Sequence, residues 1–410
     1  MKYDVIVVGG GASGMMAAGR AAELGKRVLL LEKNAKLGEK LKISGGGRCN
    51  ITNAEEDMHA FLKHYTKSAQ FLYSPFAQFG NKETFSFFEG LKLPLVVQAR
   101  KRAFPHTEKA GDVCRTLDAY MKKGDVTVLT NTKVSRILKE VNRISGIMAG
   151  KTLYTANSYI IATGGLSHPE TGSTGDGFNW LKALGHTVAA PTPTIVPIAT
   201  KENWSHEISG VSLSFMKITF YLEGVKSFSK TGKLLFTHFG LSGPLILNSS
   251  SAVSDLLHYG KVTARIDAYP DTDHGPLEEK IIRIFDTNKN KMIKNVIDEV
   301  IPHGMLRAIW TLVPSIDPDT KVHSITKEQR KKLVDTLKAL PLTITGLLGY
   351  DKAVVADGGI PLTEVDTKTM RSKVLENLFV TGDLLHINRP SGGFSLQLCW
   401  TTGFVAGSNA

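Results

Sequence analysis

Tyr3-Asp4-Val5-Ile6-Val7-Val8-Gly9-Gly10-Gly11-Ala12-Ser13-Gly14 is the stretch that decides the fold. An apolar run, Tyr3–Val8, feeds a G-x-G-x-x-G, and an Ala- and Met-rich stretch, Ala12–Leu24, then reads as a helix closed by Gly25. Arg27–Leu31 is a second apolar run, ending in Glu32. Buried strand, glycine turn, helix and buried strand make the βαβ opening of a dinucleotide-binding fold. Gly9 permits the tight turn, Gly11 lets the backbone approach a pyrophosphate, and Gly14 lets helix and strand pack closely. The pyrophosphate is expected on the helix N-terminus, where free N–H groups and the dipole favour an anion. Glu32 stands at the spacing expected of a carboxylate on a ribose hydroxyl.

Outward from this motif, further glycine-rich loops recur. Ser44-Gly45-Gly46-Gly47-Arg48-Cys49-Asn50 has no packing purpose in a core, and Arg48 suits phosphates or a flavin edge. Ala162-Thr163-Gly164-Gly165 and Thr381-Gly382-Asp383 each follow an apolar strand, and Ser391-Gly392-Gly393-Phe394 precedes a helix expected over Gly392–Ala406. Several backbone approaches suit a large, enclosed cofactor, which favours FAD over NAD. The positive end of that last helix would stabilise negative charge on a reduced flavin.

Strands are expected at Val126–Leu129, Lys133–Lys139, Ile144–Ala149 and Tyr159–Ala162, with a helix from Gly175 to Leu184. At Pro191 the character changes: prolines punctuate the chain, short strands follow (Lys217–Leu222, Val262–Ile266), and helices are expected at Glu278–Phe285, Met292–Val300 and Lys327–Leu340. Near Leu348 the strand-and-glycine style returns, with a strand at Leu378–Val380. The expected organisation is therefore a cofactor domain made of residues 1–190 and 351–410, interrupted by an insert over 191–350. The class is α/β.

The 410 residues, 42% hydrophobic and 21% charged, can bury a large core, which excludes wholesale disorder. No apolar run reaches the length of a membrane span, and the N-terminal residues contain no signal-peptide apolar region. Three cysteines, Cys49, Cys114 and Cys399, form neither a disulfide framework nor a zinc ribbon. These features set the expectation of a cytoplasmic protein without a membrane partner. Residues 1–190 hold 26 basic and 16 acidic side chains, most of the net +12, with Arg100-Lys101-Arg102 the densest cluster. That excess has two readings: counter-charge for an anionic cofactor, or contact with RNA.

Taken together, Gly9–Gly14 with Glu32, Lys40–Asn53, Arg102-Ala103-Phe104-Pro105, Ala162–Gly165 with Thr171–Gly177, Leu235–Pro244, Gly358–Lys373 and Gly382–Gln397 resemble the BaiN/RdsA-type, YhiN-like flavoproteins nearly end to end. The resemblance implies an FAD fold of the two-dinucleotide type with an inserted β-barrel and helical subdomain, and NAD(P)H/FAD oxidoreductase activity. Its branches resemble bile-acid-type enoyl reductases, ribosomal-RNA dihydrouridine synthases and aminoacetone oxidases. The cofactor site expected here comprises Gly9, Gly11, Ser13, Gly14, Glu32, Lys33, Lys40, Gly46, Gly47, Arg48, Asn50, Val134, Thr163, Gly164, Gly382, Asp383, Gly392, Gly393 and Phe394. The chain departs from the family pattern at His386, Arg389 and Ser395.

Catalytic candidates are fewer. Cys49 is read either as a general acid beside the flavin or as a small residue packed in a tight loop. His238 orients substrate or is structural, and His386 and His168, flanking the flavin loops, share that ambiguity. No residues recur at metal-ligand spacing. The function expected is hydride transfer through flavin N5 from NADH or NADPH to an unsaturated substrate, either a small molecule or a uracil in ribosomal RNA. A small-amine oxidase, and an RNA- or ribosome-binding factor with structural FAD, are the alternatives. With no second G-x-G-x-x-G in context, the nicotinamide would bind transiently in the substrate cleft.

Overall fold

The computed structural model describes residues 3–410. It divides into two compact units, one formed by the chain up to Pro193 together with Ala353–Ala410, the other by Thr194–Lys352. The first is built on a five-stranded parallel sheet in the order Leu378–Val380, Ala156–Ile161, Tyr3–Val8, Val28–Leu31 and Thr127–Leu129. Val5–Val8, Val28–Leu31 and Leu378–Val380 are buried throughout, which is why these strands are apolar without alternation. Val8 pairs with Leu31 and with Ile161, and Ile161 with Val380, so four strands end level. The loops that begin at Gly9, Glu32, Ala162 and Thr381 therefore leave from one edge, where ligands bind in open α/β sheets.

The helix Ala12–Glu23 carries the C-terminal helix Phe394–Asn409 on its flank. A Cβ at Gly403 would lie 2.4 Å from the Ser13 carbonyl oxygen, and one at Gly407 2.4 Å from that of Ala17, so glycines set this close approach. Helices over Met58–Lys63, Ala69–Gln78, Asn81–Gly90 and Ala110–Lys123 were not expected from the sequence. The second and third are rich in aromatic residues, and Pro75 lies inside the second, so tertiary packing and not helix preference holds them.

The second unit is a closed antiparallel barrel, in the order Ile198–Thr200, Gly240–Ser242, Val225–Thr237, Ser212–Leu222, Val262–Asp267 and Leu340–Leu347. Ile218, Phe220, Leu234, Phe236, Ala264 and Ile266 fill its interior. Helices His274–Thr287 and Lys327–Lys338 pack together beside it, where helices were expected. The helix expected over Met292–Val300 is absent: two short 3₁₀ turns, Ile293–Asn295 and Ile297–Glu299, stand there. The Ile293 and Lys294 N–H groups donate to the Thr320 and Pro318 carbonyls, and β-branched residues crowd the segment, so an α-helical ladder does not form.

Candidate functional site

At the sheet edge each glycine of the first motif has a distinct job. Gly9, at φ +107°, lies against the next loop, with a Cβ there 2.5 Å from the Ala162 carbonyl oxygen. A Cβ at Gly14 would fall 1.9 Å from the Gly9 carbonyl oxygen. At Gly11, the N-cap of the first helix, a Cβ would meet nothing within 4 Å. Two glycines thus serve packing, while the third leaves open space in front of a helix N-terminus whose first N–H groups have no intrahelical partner. Glu32 is buried and accepts hydrogen bonds from the N–H groups of Gly10 and Asn34, both at 2.7 Å. Its carboxylate is thereby fixed beside the glycine turn, with lone pairs to spare for a ribose.

Neighbouring loops are tied in by ion pairs and hydrogen bonds. Lys33 bonds Asp176 at 2.8 Å and Thr174 at 2.5 Å. Lys40 bonds Ser167 at 2.5 Å and Asp383 at 3.2 Å. Asp383 is also paired with Arg389, which is buried, donates to the Ile387 carbonyl at 2.8 Å and reaches Ser395 Oγ at 3.2 Å. Burial pushes the Asp383 carboxyl upward, yet Arg389 and Lys40 overcome this and hold it below the usual carboxylate range. Two of the departures from the family pattern, Arg389 and Ser395, are therefore partners in one buried network.

Gly382, at φ +63°, backs onto Ser13, whose hydroxyl accepts from Thr381 at 3.2 Å. Gly164 is likewise left-handed at φ +71°, and among the described residues the Thr163 hydroxyl is buried without a hydrogen-bond partner. Val134, itself buried, opens a largely exposed strand two residues after Thr132, whose N–H donates to the Glu32 carbonyl.

The loop over 44–50 meets the Gly392-Gly393 pair. Gly45, Gly46 and Gly47 all have positive φ, and a Cβ at Gly46 or Gly47 would meet nothing within 4 Å. Asn50, with its amide oriented to satisfy the network, accepts from the Gly393 N–H at 2.9 Å and donates to the Ala103 and Thr52 carbonyls. Gly393 is pressed so close to Thr52 that a Cβ would sit 2.3 Å from its carbonyl carbon, and Asn53 bonds the Gly392 carbonyl at 3.1 Å. Phe394 is buried against Phe61 and the His64 ring. Arg48 lies 4.6 Å over the Phe104 ring and reaches Glu108 at 3.3 Å. Thr52 and Asn53 fall within the motif Lys40–Asn53 without being singled out as site residues, and Ser167, which also shapes these loops, lies outside every motif read from the sequence.

The catalytic candidates fare unequally. Cys49 is fully buried, and burial pushes its thiol up to about 12. Core packing is thus the role its position supports, not that of the general acid expected as one of its two readings. Alkylation with iodoacetamide at mildly alkaline pH should accordingly spare Cys49 in the native protein and label it only on unfolding, as read by peptide mass mapping; rapid native labelling would restore the chemical reading. His386 is exposed, 3.7 Å from Asp357. His168 pairs with Glu170 at 2.8 Å. His238 belongs to the second unit, exposed in the turn before Gly240–Ser242 with its ring against Phe239.

The model of the HI0933-like protein Rossmann domain matches residues 3–409. The chain belongs to the HI0933-like family. Two of the relatives that this HI0933-like chain matches nearly end to end are the following. A 3-dehydro-bile acid delta(4,6)-reductase of Clostridium scindens is 27% identical over 98% of both chains. A ribosomal RNA dihydrouridine synthase of Haemophilus influenzae is 28% identical over 98% of this chain and 96% of its own. Among solved structures, a 3-ketosteroid-delta4-(5alpha)-dehydrogenase of Rhodococcus jostii superposes with a TM-score of 0.55 at 14% identity, covering 100% of this chain and 96% of that one. This HI0933-like protein is an oxidoreductase on an FAD-binding Rossmann fold. Its residues fit FAD: backbone lies open at Gly11, Gly46 and Gly47, and Glu32 is fixed at ribose spacing. No helix among the described residues is long and apolar enough to cross a membrane.

Proposed function

We propose that the protein reduces a carbon–carbon double bond conjugated to a carbonyl, with NADH or NADPH as donor. The observation that carries this is the pairing of the cofactor cradle with two end-to-end relatives whose names share that chemistry: one reduces an unsaturated bile acid, the other makes dihydrouridine. The Gly9–Gly14 turn and the first N–H groups of the helix hold the pyrophosphate, and Glu32 holds the ribose. Asp383, fixed by Lys40 and Arg389, keeps the Gly382 turn in shape. The N-terminus of the helix beginning at Phe394 offers its positive end to negative charge. When bound, FAD supplies the hydride relay between nicotinamide and substrate. Anaerobic addition of NADH or NADPH should bleach the flavin absorbance of the purified protein. Bleaching by small amines, with neither nicotinamide effective, would replace this reading with an amine oxidase.

A finer reading, that the double bond is a uracil within RNA, is favoured by the ten-residue basic excess of residues 1–190 and by Arg100-Lys101-Arg102. Arg100 and Lys101 are exposed on a turn with left-handed backbone at both positions. An RNA base would have to leave its stack to meet the cofactor.

A further inference from the structure

The barrel hairpin formed by Ser212–Leu222 and Val225–Thr237 carries four lysines, Lys217, Lys226, Lys230 and Lys233, against one acid, Glu223. Ile218 and Phe220 are buried in the barrel, so Lys217, Thr219 and Tyr221, which alternate with them, stand on its outer face. The strand register arranges that face in rows: Lys217 lies between Thr231 and Asp267, Thr219 between Ser229 and Arg265, and Tyr221 between Lys226 and Thr263. The Arg265 guanidinium lies 5.1 Å from the centre of the Tyr221 ring, and the Thr219 and Ser229 hydroxyls are 2.9 Å apart. The one acid in these rows, Asp267, is held by Lys338 at 2.8 Å. At the bulge beside Lys217, Phe215 is 51% exposed.

We infer that this outer barrel face binds single-stranded RNA, an inference that rests on the RNA reading above. Lys217, Lys226, Lys233 and Arg265 contact phosphates, and Tyr221 and Phe215 offer rings on which bases stack. Charge complementarity selects a polyanion, since four cations stand exposed on a face whose acid is already paired. Aromatic rings among the cations favour unpaired bases over duplex, whose bases are stacked on one another. The hydroxyl rows make a polar surface, unlike the broad apolar face that beds into a lipid interface.

The test is fluorescence anisotropy of a labelled, uridine-rich single-stranded RNA with the FAD-loaded full chain over a salt series. Lys217→Gln, Lys226→Gln and Lys233→Gln combined should lower the log–log salt slope by about 2. Tyr221→Ala should weaken binding about tenfold. Flavin content should be unchanged in both. If the wild type binds RNA and these variants bind equally well, while Arg100→Gln, Lys101→Gln and Arg102→Gln combined loses binding, the barrel assignment falls and the RNA reading stands. If the wild type binds no RNA, or binds phosphatidylserine vesicles in its place, both fall.

Discussion

Gly11→Val is expected to give a folded protein that purifies without FAD. The backbone at Gly11, φ −83° and ψ −170°, is extended and well suited to a β-branched residue. A Cβ there touches nothing within 4 Å, so the new side chain starts out into open space and not against the protein. What it fills is the space in which backbone and pyrophosphate must meet. The thermal midpoint of the variant should match that of the wild-type apoprotein, while its flavin absorbance is lost. A folded Gly11→Val protein with full flavin content would mean that the N-terminal turn does not hold the cofactor.

The largest loss of stability is expected from Arg389→Ala. It leaves Asp383 buried with Lys40 as its remaining ion-pair partner, and breaking a buried pair from one side costs about 3–5 kcal/mol. In a unit of this size the thermal midpoint should fall by roughly 10 °C. The pH dependence has a definite sign. In the wild type the Asp383 pKa is depressed, so its contribution is present above the unfolded value and lost only as pH falls through the lower folded one. Without Arg389, burial dominates and raises that pKa, so the variant takes up the proton more readily and its deficit narrows as the medium is made mildly acidic. Replacing Asp383 by Leu and Arg389 by Met together should recover much of the loss. Equal melting of wild type and Arg389→Ala across pH would show that the pair is not what holds this loop.

How much of this was legible beforehand follows from the range over which each cause acts. The βαβ opening and the parallel strands are local: an apolar run long enough for a buried strand, then a glycine turn, is visible in a dozen residues. The glycine roles at Gly9, Gly11 and Gly14 follow from one turn geometry. By contrast, Lys40 meets Ser167 across 127 residues and Asp383 across 343, and no short pattern marks either contact. Arg389 looks like an unexplained departure in the sequence because its partners, Asp383 and Ser395, are set by the fold of the loop between them. Cys49 adjoins the glycine loop in the chain, yet a left-handed backbone at φ +61° goes with a side chain buried in the core. The strand Val225–Thr237 was missed because its lysines and serines have little strand preference, and barrel closure supplies what local preference does not.

The most direct measurement is the oxidative half of turnover. The FAD-loaded protein is photoreduced without oxygen, mixed with a compound whose carbon–carbon double bond is conjugated to a carbonyl, and followed by the return of oxidised-flavin absorbance and by the mass of the product. A steroid enone and a uridine oligonucleotide cover the two substrate classes. The account predicts that colour returns with at least one of them, and that the product gains two hydrogens. Recovery of colour only on admitting oxygen, with both compounds unchanged, would contradict it.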